Sequence, residues 1–162
     1  MIDQFKEVAD AVRLEIPTAH RVPVAIVGAG GIVDGAHLPA YKKAGLDIVG
    51  ITDVDLAKAK DVATRHGIKK VYASLDEMLA ETEATVFDIA VPADTQPQLF
   101  EKIARAGKNI LAQKPMATTV EAGLSMANLV DEFKIIAGVN QQLRFEEGVA
   151  AAHKMVDRKS VV

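Results

Sequence analysis

The chain reads as an α/β protein, a doubly wound parallel sheet with helices on both faces, and three observations predict it. Short β-branched runs alternate with stretches of helical periodicity, the pattern of successive βα units. Runs such as Val24-Ala25-Ile26-Val27 are apolar without interruption, which fits strands buried on both faces. The first run leads directly into Gly28-Ala29-Gly30-Gly31 and then a helical pattern, so strand, tight turn and helix follow one another.

Taken in order, Phe5, Val8, Ala9, Val12 and Ile16 recur at helical spacing and Pro17 stops them, so residues 1–21 are expected to form a helical extension. Strands are then expected at Val22 to Val27, Asp47 to Thr52, Val71 to Tyr72, Val86 to Val91, Asn109 to Ala112 and Ile135 to Val139. Helices fill the gaps, and right-handed crossovers make the strands parallel.

Composition bounds the function. A chain of 162 residues, 49% hydrophobic, suffices for one well-buried domain and is too short for two large ones. The net charge is −3 and Lys/Arg never run beyond adjacent pairs, so neither nucleic acid nor an anionic membrane is an expected partner; a small molecule is. The absence of cysteine excludes disulfides and thiolate metal sites. His20, His37, His66 and His153 lie far apart without acidic partners at ligand spacing, so surface or packing roles are expected and no metal site. The N-terminus lacks the apolar core of a signal peptide, and no run approaches the roughly 18 residues of a membrane span, so a cytoplasmic location is expected.

In the glycine turn, Gly28 supplies the tight bend, Gly30 and Gly31 let backbone approach a pyrophosphate, Ile32 follows in the same turn, and the helix start offers free amides. The third glycine of the usual fingerprint is replaced by Val33, which alters helix packing more than phosphate contact. Asp53 ends the second strand, where a carboxylate can accept from adenosine ribose hydroxyls and repel a 2′-phosphate. NAD is therefore favoured, with Lys58 leaving NADP open. The competing role for Asp53 is a helix cap, for which Asp55 is better placed.

With Gln113-Lys114-Pro115 added, the chain resembles the N-terminal domain of the Gfo/Idh/MocA family of oxidoreductases, a Rossmann-fold domain. The resemblance rests on Gly30-Gly31-Ile32, on His37-Leu38-Pro39-Ala40-Tyr41, on Gln113-Lys114-Pro115 in place of the family's Glu-Lys-Pro, and on Arg144-Phe145. It implies an NAD(P)-binding domain over 22–145 and hydride transfer between a nicotinamide and a sugar or cyclitol hydroxyl. It also implies a homo-oligomeric full-length protein. Lys114 would be the catalytic group beside the nicotinamide, where partial desolvation would ease loss of its proton. Pro115, possible in the cis form, would aim it, Pro92 and Thr95 would shape the cofactor side, and Arg144 would face the substrate. Two departures touch proton transfer: Gln113 replaces Glu, and Gln96 stands where many members carry His.

Residues 146–156 are expected to begin a link to a substrate domain that this chain lacks, so the chain alone is expected to be inactive. Asp157-Arg158-Lys159-Ser160-Val161-Val162 matches the translation of a common sequencing adapter, and 157–162 are accordingly expected to be a non-native tail. The alternative reading is a stand-alone, non-catalytic nucleotide-binding or regulatory module.

Overall fold

The computed structural model describes residues 16–157, so the helix expected over Phe5 to Ile16 and the expected tail 157–162 lie outside it apart from Ile16 and Asp157. Pro17–Asn140 form one compact unit, and Gln141 onward belongs to another. In the first unit, strands β1 (Val24–Val27), β2 (Ile48–Thr52), β3 (Val86–Ile89), β4 (Asn109–Gln113) and β5 (Ala137–Asn140) make one sheet of order β2-β1-β3-β4-β5. Every pairing is parallel, with Val27 opposite both Thr52 and Ile89, and Ala112 opposite Val139. The chain leaves β1 for one neighbour and later returns to its other side, creating a topological switch between β1 and β3.

Helices cover both faces, as the continuous apolar strands predict. Alternate residues of β1 point opposite ways. Val24 and Ile26 pack with Leu38 of α1 (Leu38–Ala44) and with Ala59, Val62 and Ala63 of α2 (Leu56–His66). Ala25 and Val27 join Met78 of α3 (Leu75–Glu81), Phe100 and Ile103 of α4 (Gln96–Arg105) and Met126 of α5 (Val120–Phe133). Ile26, Phe87 and Phe100 are at most 1% exposed. Burying each such side chain stabilises by about 2–3 kcal/mol, more than an exposed pair such as Lys102 with Asp76, for which ~0.2–1 kcal/mol is usual.

The helix starts follow local rules. Asp55 accepts the Lys58 N–H at 3.1 Å and caps α2, Ser74 caps α3 through the Glu77 N–H, and Thr119 caps α5 through the Ala122 N–H. α1 is entered through a π-helical turn, Val33–His37. Pro39, at the second position of α1, has no N–H to give the preceding turn, which favours this looser winding.

The strand expected at Val71 to Tyr72 shrinks to a single bridge between Val71 and Ile51. Helix α3 begins at once after Ser74, leaving room for two bonds to Ile51: its N–H gives to Lys70 O and its carbonyl accepts from Tyr72 N. The Tyr72 ring instead lies over Gly50, where an added Cβ would stand 2.5 Å from it. The last strand also starts later than expected, because Lys134 takes a left-handed conformation and the Ile135 N–H closes α5 on Val130 O. Among the described residues no helix is long and apolar enough to cross a membrane. The second unit holds a 3-10 turn, Gln142–Phe145, and a helix, α6 (Glu147–Asp157).

Gly28 adopts φ +106°, and a Cβ there would stand 2.4 Å from Ala90 O. Gly28→Ala is therefore expected to destabilise the chain by about 2–4 kcal/mol, read as a drop in the denaturant midpoint. An unchanged midpoint would show that the turn can relax away from β3.

Candidate functional site

The candidate site lies at the carboxyl edge of the sheet, where the residues singled out by the sequence sit at the ends of β1 to β4 or in the loops that follow them. From β1 the chain bends at Gly28, whose N–H gives to Thr52 O at 2.8 Å and so fastens the turn to β2. The next N–H, of Ala29, gives to Asp53 Oδ2 at 2.6 Å, while Asp53 Oδ1 accepts from Asp55 N at 2.8 Å. Asp53 thus clasps the glycine turn and the start of the loop into α2, and Asp55, as expected, does the capping. Charge-assisted bonds of this kind fix a carboxylate firmly, and each oxygen keeps a lone pair for a further donor.

Gly30 and Gly31 differ from Gly28. Neither has a positive φ, and a Cβ on either would meet no atom within 4 Å. Nothing in the described residues demands glycine there, and the space above both is open. The first turn of the helix adds amides without intrahelical acceptors. Ile32 is exposed beside them, whereas Val33 is fully buried with Val24, Ile26 and Ile51. The missing third glycine is absorbed as core volume, in the cluster that also holds Ala59 and Ala63. Glycines, helix start and fixed carboxylate together fit a dinucleotide.

After β3, Pro92 O accepts the N–H groups of Thr95 and Gln96, making the turn that leads into α4. Pro92 is exposed, and Thr95 occupies the capping position without capping, its hydroxyl giving instead to Asp94 at 3.2 Å. Gln96 is fully buried and carries a role that the sequence did not reveal. The two hydrogens of its amide nitrogen are shared among the carbonyls of Gln113 (2.9 Å), Pro115 (3.2 Å) and Met116 (2.7 Å), and its oxygen accepts from Gln113 N at 2.9 Å. Gln96 therefore clamps the loop that carries Lys114, and the Lys114–Pro115 bond is cis.

Lys114 is exposed. Its ammonium makes no hydrogen bond or ion pair with the described residues, so the desolvation expected for it is not supplied by them. Gln113 points inward: Oε1 accepts from Lys114 N at 2.9 Å, and Nε2 lies 2.9 Å from His37 Nε2. His37 Nδ1 lies 2.6 Å from Asp88 Oδ2, which also accepts from the Tyr41 hydroxyl at 2.9 Å. Burial, reinforced by the Asp88 charge and hydrogen bond, pushes the Tyr41 pKa upward and keeps its proton in place.

The sequence did not reveal two histidine pairings. His37 and His66 have acidic partners across the sequence, Asp88 and Asp34, the second at 2.8 Å. The helical spacing rule cannot see such pairs. A signal was present: Asp88 is a lone charge in the apolar run Val86-Phe87-Asp88-Ile89, and a carboxylate buried in a strand requires partners. Among the described residues no three His, Asp or Glu side chains converge as a metal site would need. Arg144 lies in the 3-10 turn of the second unit and is exposed.

A parallel sheet with this switch point, glycine turn and terminal acid defines the class, a nucleotide-binding Rossmann domain. The chain belongs to the Gfo/Idh/MocA oxidoreductase family, matching its NAD-binding Rossmann fold over residues 22–141. It is 36% identical over 107 residues to an uncharacterized oxidoreductase of Rhizobium meliloti, covering 65% of this chain and 31% of that protein. Against inositol 2-dehydrogenase of Rhizobium meliloti strain 1021 the identity is 30% over 133 residues, with coverage of 82% and 39%. The WlbA dehydrogenase from Bordetella pertussis, solved in complex with NADH and UDP-GlcNAcA, superposes with a TM-score of 0.79 at 26% identity, over 85% of this chain and 42% of that one. The chain thus spans well under half the length of these relatives.

Replacing Gln96 by Leu removes all of these hydrogen bonds and leaves main-chain groups of the 113–116 loop unpaired. A loss of about 2–4 kcal/mol in unfolding free energy is expected from chemical denaturation. A loss under half a kcal/mol, roughly the usual surface effect, would mean that the loop holds its shape without the clamp.

Proposed function

We propose that this chain is the cofactor half of an NAD(P)-dependent oxidoreductase whose substrate is a sugar or cyclitol hydroxyl. The observation that carries the reading is the convergence on one sheet edge of Gly30 and Gly31 with open space above them, Asp53 fixed against the same turn, and Lys114 on a clamped loop. Gly28, Gly30, Gly31 and the exposed Ile32 would receive the pyrophosphate, and Asp53 the ribose. Pro92, Thr95, Gln113 and Pro115 would border the nicotinamide end. The cofactor, when bound, would supply the hydride acceptor or donor.

Lys114 would hold or accept the proton of the reacting hydroxyl, a role suited to an amine at the mouth of the site. With no other group of the described residues on its ammonium, nothing in this unit competes with a substrate oxygen for it. Arg144 is assigned to the substrate side. Inositol 2-dehydrogenase and 1,5-anhydro-D-fructose reductase among the relatives support a polyol or sugar substrate. A carboxylate at 53 favours NAD, because a 2′-phosphate there would meet like charge. Orienting the substrate calls for groups beyond this unit, so the chain by itself would bind cofactor and turn over little, and the whole protein would act as a homo-oligomer in the cytoplasm.

The chain has no tryptophan, so NADH emission reports binding without interference. Titration with NADH is expected to enhance and shift that emission, and NADPH to bind about tenfold more weakly, with Asp53→Ala narrowing the gap. Gly30→Val should abolish the signal while leaving the melting temperature within about 2 °C, since a Cβ there meets no atom within 4 Å. Absence of an NADH signal at millimolar cofactor from a folded chain would overturn the reading.

A further inference from the structure

The hydrogen bonds between Lys114 and Asp88 have only one consistent polarity. A backbone N–H can only donate, so the Gln113 atom 2.9 Å from Lys114 N must be the amide oxygen. The NH2 group of Gln113 then faces His37 Nε2 at 2.9 Å, and that ring nitrogen must present its lone pair. The imidazole proton accordingly sits on Nδ1 and is given to Asp88 Oδ2 at 2.6 Å. Tyr41 gives to the same oxygen, and Asn140 Nδ2, at 3.5 Å from His37 Nε2, is at the outer limit of a second donor to the same lone pair.

We infer that Asp88, His37 and Gln113 form a directional relay that positions Lys114, with His37 held as the neutral tautomer protonated at Nδ1. His37 and Asp88 are 7% and 1% exposed and Gln113 8%, so water does not compete freely for these bonds. The relay meets the Lys114 backbone from one side while Gln96 grips the same loop through its carbonyls from the other. A second proton on His37 would set N–H against NH2. Gln113 would then have to turn over, leaving Lys114 N facing a donor. A carboxylate at 113 has no such polarity, since it can accept from Lys114 N and from a protonated Nε2 together. Gln113 therefore selects the neutral ring, and that selection specifies this chain's version of the site. Asp88 Oδ1 is buried with no partner among the described residues, so the relay is kept at a local cost. The three are positioning residues, and their importance for catalysis rests on the role assigned above to Lys114.

The test uses the whole chain with 15N-labelled histidine. Long-range proton–nitrogen spectra at neutral pH are expected to show His37 Nε2 unprotonated and Nδ1 protonated; an Nε2–H tautomer or a doubly protonated ring would overturn the inference. In Gln113→Leu the Lys114 amide is expected to exchange with solvent about tenfold faster, the loss of one ordinary hydrogen bond, while the Ile26 amide is unchanged. Equal Lys114 rates in both proteins would also overturn it. Gln113→Glu should restore the slow exchange and yield a His37 ring protonated on both nitrogens, and fast exchange in that variant counts against the relay. None of these readouts requires cofactor binding, so their failure and the failure of NADH titration are separate results.

Discussion

The close approach of Gly28 to the end of β3 is the constraint on which the rest of the site depends. Without a side chain at 28, the turn after β1 drops onto Ala90 and its N–H reaches Thr52 on the opposite neighbour. Three strand ends are thereby locked at one height. From that level Ala29 meets Asp53, the helix begins at the sheet edge, and His37 comes down above Asp88. A turn standing even an ångström or two higher would separate these pairs beyond hydrogen-bonding distance.

The polar interior follows from that geometry and runs against the ordinary preference for apolar strands. Asp88 and Gln113 on strands, and His37 and Gln96 on helical segments, are all buried, in a core that is otherwise nearly all aliphatic or aromatic. Such a set stabilises little in net terms when every partner is satisfied, and destabilises strongly when one is removed. Its value lies in fixing one arrangement of the 113–116 loop, while the two apolar clusters on either face supply the driving force for folding. The division of labour is spatial: apolar side chains fill the layers between sheet and helices, and hydrogen-bonded side chains gather toward the edge where the candidate site opens.

The sequence was informative where the physics is local. Continuous apolar runs announced a two-faced sheet, Gly28 its turn, and Asp55 a cap, because each depends on residues within one element or its neighbour. Val71-Tyr72 misled because β-branched and aromatic composition cannot show how little chain is left before Ser74 starts a helix. Gln96 and the pairing of His37 with Asp88 were hidden because their partners lie 17 and 51 residues away and meet only after β1, β3 and β4 are aligned. Lys114 was identifiable by its flanking residues, yet its exposure depends on what surrounds it in space. Val33 shows the reverse case, a departure from a familiar glycine pattern that the fold accommodates by burying the side chain in the core.

Gln96 has a further consequence through the kind of atoms it holds. All four of its bonds go to main-chain groups of residues 113, 115 and 116, and none goes to a side chain. The loop is thus held by a device indifferent to which side chains it displays. At 114 a different reactive group could be carried on the same main-chain path. A mouth built in this way can acquire new specificities by substitution at its rim, while the geometry that makes any of them useful is inherited unaltered.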